Sequence, residues 1–308
     1  MRAGWRRSFF GRSRALHGSS DTALRRLRLS PAAATMAAPR RLRHPWRKSG
    51  PQRTGVAGGC PMNPQPSVLV TGLGGTAGFW ESISETLARS FRVLRFDQRG
   101  LAASTRGSAP CSIETLAQDC LSVLDEAGIA QAVVLGHSTG GCIALSLAQL
   151  APGRVEGLIL SGSWLKPSRY MAAYFGARRD ILGSHPRAYA ATSVLCAYPP
   201  AWIEANWPIY EAALAAAPLT VQQQSVMAER IDALLAFDGT GQAASLALPV
   251  LVLGARDDMV VPAFLQEDLA AALPGCAKTM LDSGGHLFPV SRPDAFTSTV
   301  ADWISRLG

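Results

Sequence analysis

Six short apolar runs, each followed by residues at helical spacing, limit how this chain can fold more than any other feature. They are "SVLVTG" (67–72), "RVLRFD" (92–97), "AVVLG" (132–136), "VEGLILSG" (155–162), "PVLVLG" (249–254) and "AKTML" (277–281). Helical patterns fall at 80–90, 112–128, 139–151, 263–273 and 293–306, with Ser112 as an N-cap and Gly128 just past a helix end. Strand-length apolar runs alternating with helices indicate an α/β fold with a mostly parallel sheet covered on both faces. The rhythm breaks at about 163–245. There the chain reads as helices alone: "SRYMAAYFGARRDILG", "PRAYAATSVLCA", "PAWIEANWPIYEAALAA" and "TVQQQSVMAERIDALLAF". A helical insertion between two strands is most simply a lid over the carboxyl edge of the sheet, where ligands of open α/β sheets bind.

One strand-to-helix junction carries chemistry. Gly136-His137-Ser138-Thr139-Gly140 joins the third strand to its helix. A Gly-x-Ser-x-Gly turn in this context lifts the serine hydroxyl above the sheet, and side chains at 136 and 140 would clash with the neighbouring strand and helix. The same turn aims the backbone N–H of Thr139 at a developing oxyanion. A serine needs a base. Of five histidines, His17 and His44 lie in a basic N-terminal segment and His185 in the insertion; His137 adjoins Ser138 with its side chain expected to point away. His286 remains, in "LDSGGHLFPV" after the last strand. The acid that orients it comes from the end of the fifth strand, "PVLVLGARDDMVVP", at Asp257 or Asp258. The Ser, acid, His order suits this architecture. A second oxyanion donor is expected from "TGLGGTAGFW", at the N–H of Leu73, where Gly72, Gly74 and Gly75 permit close backbone approach. In "FDQRG", Asp97 and Arg99 are expected to pair and pin their loop.

The net charge of +8 suggests a nucleic-acid binder until it is located. Residues 1–61 hold 14 of the 30 Lys and Arg and a single acid, Asp21, which leaves the remainder net negative. A body of that charge has no electrostatic footprint for nucleic acid. The basic segment has no continuous apolar core of a secretory signal. It is open to three readings: a disordered leader, a mitochondrial-type transit peptide, or translation upstream of a true start at Met36 or Met62. No apolar run is long enough to span a bilayer. The six cysteines show no metal-ligand spacing and read as small buried hydrophobes in a reduced compartment. No metal or organic cofactor is expected.

"VTGLGG…W", "FDQRG", "LGHSTGG", "LVLGARDDMVVP" and "SGGHLFPVSRPDAF" resemble the α/β-hydrolase superfamily from about Ser67 to Gly308. "GLGGTAGFW", "DQRG" and the segment around "SGSWLKPSRY…LCAYPPAWI" resemble the aminoacrylate hydrolases of uracil-ring degradation, also described as carbamate hydrolases. The resemblance implies a catalytic Ser138, His286 and, by the Asp-x-x-Val-Pro pattern, Asp258 rather than Asp257. It implies hydrolysis of a small carbonyl-type substrate in pyrimidine degradation, in the cytoplasm unless the leader is a working transit peptide. A general carboxylesterase or enol-lactonase stays open. So do a cofactor-free haloperoxidase or C–C hydrolase using the same triad, and a non-enzymatic receptor on the same fold. The expected partner is a small molecule; a homodimer stays open.

The pocket is expected between the sheet edge and the insertion, near Trp80, Trp164, Leu287 and Phe288. The cations in or near the insertion are Lys166, Arg169, Arg178, Arg179 and Arg230. The aminoacrylate resemblance implies a substrate carboxylate, and Arg169 and Arg179 are expected to meet it. A body beginning at Met62 is large enough to bury about 70–75% of its unfolded surface by itself. Deleting residues 1–61 is therefore expected to leave activity and melting temperature nearly unchanged, as thermal melts of the two forms would show.

Overall fold

The computed structural model describes residues 66–307, so the basic segment 1–61 and its three readings lie outside the described residues. In chain order the elements are β1 (Pro66–Val70), α1 (Glu81–Leu87), β2 (Arg92–Arg95), α2 (Ile113–Glu126), β3 (Ala132–His137), α3 (Thr139–Leu150) and β4 (Val155–Ser161). The insertion follows as α4 (Arg169–Ser184), α5 (Pro186–Leu195), α6 (Pro200–Ala205), α7 (Trp207–Ala215), α8 (Val221–Ala236) and α9 (Thr240–Ala244). The chain then returns through β5 (Val250–Ala255), α10 (Ala263–Ala272), β6 (Ala277–Leu281), α11 (Phe288–Ser291) and α12 (Pro293–Ile304). All six expected strands form. They make one parallel sheet in the order β2-β1-β3-β4-β5-β6.

The sheet is buried on both faces, which explains the near-continuous apolar strands. Along β3, Ala132 and Val134 enter one core with α2 and α3, while Val133 and Leu135 enter the other with Trp80, Phe288, Phe296 and Val300. Successive side chains of a strand point to opposite faces, so one strand feeds both layers. Helix α2 starts where Ser112 Oγ accepts the Thr115 N–H at 3.1 Å, and it buries Ile113, Leu116, Ala117, Cys120, Val123 and Leu124 at helical spacing. Helix α8 opens with a reciprocal capping box between Thr220 and Gln223. The single helix expected over 200–216 is instead two, broken at Asn206. Pro208 has no N–H to continue the first helix and stands in the opening turn of the second. Among the described residues no helix is long and apolar enough to cross a membrane.

β1 lies between β2 and β3, so the chain leaves it in both directions and a crevice opens at the carboxyl ends of β1 and β3. Helix α3 packs there with almost no clearance. A Cβ on Gly136 would lie 2.1 Å from the Gly140 carbonyl oxygen, and one on Gly140 would lie 2.2 Å from the Val70 carbonyl oxygen. Both neighbours are backbone and cannot rotate aside. Gly140→Ala is therefore expected to cost about 3 kcal/mol of stability. Gly153→Ala, whose added methyl meets nothing within 4 Å, should cost far less. Denaturant midpoints of the two variants check this.

Candidate active site

Ser138 occupies the turn between β3 and α3 with φ 56° and ψ −126°. Only it and Ala102 have positive φ among the described non-glycine residues. Such a backbone costs about 1–3 kcal/mol and persists only where the surroundings impose it. Here the Ser138 N–H donates to the Ser161 carbonyl at 2.8 Å, and the Ser138 carbonyl accepts from Gly141 N–H at 2.9 Å. Thr139 is the first residue of α3, so its N–H belongs to the set that the helix does not pair.

His286, from the far end of the chain, lines the same cavity as Ser138, and two aspartates hold it there. Asp258 follows β5 with its side chain wholly buried. Its Oδ1 accepts the N–H groups of Val260 and Val261, both at 2.8 Å. Its Oδ2 accepts from His286 Nδ1 at 2.8 Å and from Gln266 Nε2 at 3.2 Å. Four donors around one carboxylate hold it in one orientation. Asp257 does different work. Its two oxygens accept the N–H groups of Gly284 at 3.1 Å and Gly285 at 2.9 Å, which pins the loop that carries His286. One aspartate thus positions the ring and the other positions its loop.

The loop after β1 is held from the insertion. Gly72 faces Ser138 so closely that a Cβ would lie 2.9 Å from Ser138 Cβ. Arg230, on α8, donates from Nε to the Leu73 carbonyl at 2.6 Å and from Nη2 to the Gly72 carbonyl at 3.5 Å and to Gln98 Oε1. Gln98 Nε2 in turn donates to the Thr71 carbonyl at 2.7 Å. Carbonyl and N–H of a trans peptide point in opposite directions, so holding the Gly72 carbonyl turns the Leu73 N–H the other way. Arg230 is 2% exposed, and burial lowers its pKa. The expected Asp97–Arg99 pair does not form. Asp97 accepts the Ala77 N–H at 2.8 Å, and Arg99 makes a bidentate pair with Asp119 of α2 at 2.5 and 2.6 Å. Two planar forks match better than neighbours on one turn.

A cavity of about 490 Å³ lies between these loops and the insertion. Leu73, Ser138, His286 and Leu287 line it, with Phe79, Tyr174, Arg178, Tyr189 and Met227. Four of the residues expected to contact substrate lie elsewhere, and a fifth is turned outward. Trp80 and Phe288 are fully buried in the core behind β3 and β5, and Trp164 in the core on the opposite face of the sheet. Arg169 is exposed on the first turn of α4. Arg179 is exposed and paired with Asp232 at 2.6 Å on the outer side of α4 and α8. The inward stripe of α4 is Met171, Phe175, Arg178 and Leu182; that of α8 is Val226, Met227, Arg230, Ile231 and Leu234. Arg178 and Arg230 therefore stand at apolar positions of the helical repeat, a signal present in the sequence that a count of cations passes over. Gln98 and Gln266 carry no such signal.

His137 does not point away. Its ring centre lies 5.0 Å from that of His286, stacks on Phe79 and meets Phe288 edge-on. Nδ1 is 3.0 Å from Ser161 Oγ, while Nε2 is buried without a hydrogen-bond partner among the described residues. Burial first, then the neighbouring His286, hold its pKa well below the usual 6.5.

A six-stranded parallel sheet with a strained strand-to-helix turn at its edge fits the α/β hydrolases, and the chain belongs to that family: the model for the alpha/beta hydrolase fold matches residues 67–293. It is a hydrolase, and it is similar to "Putative carbamate hydrolase RutD" of Azorhizobium caulinodans, at 37% identity over 75% of this chain and 88% of the relative. The protein of that name from Caulobacter sp. (strain K31) is 33% identical over 81% of this chain and 94% of its own length. Among solved structures it resembles the enol-lactonase of Burkholderia xenovorans LB400, with TM-score 0.72, 26% identity, and coverage of 79% of this chain and 92% of that one. A hydrolase of Pseudomonas aeruginosa PA01 matches with TM-score 0.71 and 29% identity over 80% of this chain and 92% of its own.

The state of His137 makes stability depend on pH. On unfolding, the ring returns to water and binds a proton below about pH 6.5, whereas the folded ring stays neutral. Stability is therefore expected to fall as the pH drops below 6.5, by about 1.4 kcal/mol per pH unit from this group. Melting temperatures between pH 7 and 4.5 for the parent and for His137→Gln check it; the variant should show the shallower loss.

Proposed function

We propose that the cavity is the active site of a Ser-His-Asp hydrolase acting on a small carbonyl-type substrate. The observation that carries the reading is the His286–Asp258 pair, its acid wholly buried and its imidazole lining the same cavity as the strained Ser138. Ser138 Oγ attacks the carbonyl, or holds the water that does. The imidazole of His286 takes the proton and returns it to the leaving group, while Asp258 keeps Nδ1 protonated and stabilises the imidazolium. The N–H groups of Leu73 and Thr139 receive the oxyanion, and the end of α3 adds its partial positive charge.

The similarity to proteins named as carbamate hydrolases supports a carbamate or aminoacrylate type of substrate, in pyrimidine degradation. A second reading, a carboxylesterase or enol-lactonase, is supported by the likeness to the enol-lactonase and by a cavity several times the volume of a three-carbon acid.

A fluorophosphonate probe should label the parent protein at Ser138 and leave Ser138→Ala unlabelled. Ser138→Ala or His286→Ala should each lower kcat on an activated ester by about 10⁴-fold, and the double variant should lose little more. Asp258→Asn should cost about 10³-fold, and Asp257→Asn far less. Absence of labelling with full retention of ligand binding would point to a receptor instead. A larger loss for Asp257→Asn would reverse the roles of the two aspartates.

A further inference from the structure

Arg178 is a buried cation at the wall of the cavity, with no acid beside it among the described residues. It is 7% exposed and lines the cavity that holds Ser138 and His286. Nη2 donates to Ser193 Oγ of α5. The guanidinium carbon lies 4.3 Å from the centre of the Tyr189 ring, 5.5 Å from Tyr174 and 5.8 Å from Phe175. Nε is buried without an acceptor, and among the described residues no carboxylate pairs with Arg178. Its neighbour Arg179 does have one, Asp232, on the outer surface. Ring faces return less to a cation than it loses when its charge is taken out of water. A cation kept in this state at the wall of a cavity is matched by an anion that arrives with the ligand.

Ser193, Tyr174, Phe175 and Tyr189, which hold Arg178, belong to α4 and α5. Ser138, Leu73 and His286 sit on loops at the strand ends, and both sets line the one cavity.

We infer that Arg178 is the carboxylate-binding group of this cavity, and that the substrate is an organic acid whose carboxylate it holds while the carbonyl group faces Ser138. This rests on the serine-hydrolase reading. A planar guanidinium, fixed by Ser193 and the tyrosine ring, presents its free N–H groups to both oxygens of a carboxylate.

The test compares p-nitrophenyl half-esters of succinate, glutarate and adipate with their methyl-capped neutral counterparts. Arg178→Gln should raise KM for the half-esters ten-fold or more while changing the neutral esters less than about two-fold. Arg178→Lys, which keeps the charge and serves if the Gln variant melts early, should retain part of the preference. Calorimetry on Ser138→Ala reads the site without catalysis: free glutarate should bind more tightly than its diamide, and adding Arg178→Gln should abolish the difference. Equal loss on charged and neutral esters, or no loss on either, would overturn the inference. If the fluorophosphonate fails to label Ser138 while glutarate binding still depends on Arg178, the hydrolase reading falls and the anion site stands.

Discussion

The close approach of α3 to the ends of β1 and β3 is the constraint on which the candidate site depends. With a carbonyl 2.1 Å from where a Gly136 Cβ would be and another 2.2 Å from a Gly140 Cβ, the helix can begin only if both positions lack side chains. The chain must then reverse within one residue, and Ser138 takes a backbone that serines otherwise avoid. The strain is small beside the apolar burial of β3 and α3, whose residues are almost all inaccessible to solvent. A large, dry core thus holds one residue in a costly shape at the edge of the cavity.

Around that turn the polar groups are organised by partners far apart in the chain. Asp258 reaches its His across 28 residues, Asp257 pins the glycines before it, and Gln266 supports the acid from α10. On the opposite side, Arg230 of α8 holds the carbonyls of the loop after β1 across more than 150 residues. The insertion is therefore tied to the sheet edge through α8, and a second tie, Arg106 to Glu229 on the same helix, fastens the loop after β2. A buried guanidinium bound to neutral acceptors adds little net stability, but its fork fixes two peptide planes at once. Buried cations on the inward stripes of α4 and α8 thus give the roof of a largely apolar cavity its polar character.

The alternation of apolar strands and helices and the glycine-flanked turn at Ser138 were both legible in the sequence. Each depends on local periodicity or on steric rules that act within a few residues, and all six strands appear where those rules put them. The inward placement of Arg178 and Arg230 was partly legible, since both replace an apolar residue in a helical stripe. Nearness to the strand end in sequence favoured Arg169 and Arg179 instead, and that measure ignores the 100° turn between successive helical residues.

Only the tertiary structure decided which groups meet. Arg99 chooses Asp119 over its neighbour Asp97, His137 turns toward His286, and the large aromatics Trp80, Trp164 and Phe288 pack into cores instead of lining the cavity. Pattern tells which face of an element is apolar, but hydrogen bonds and ring contacts act over three to six ångströms between residues 20 to 160 positions apart. Their geometry exists only once the sheet order and the seating of the inserted helices have been set.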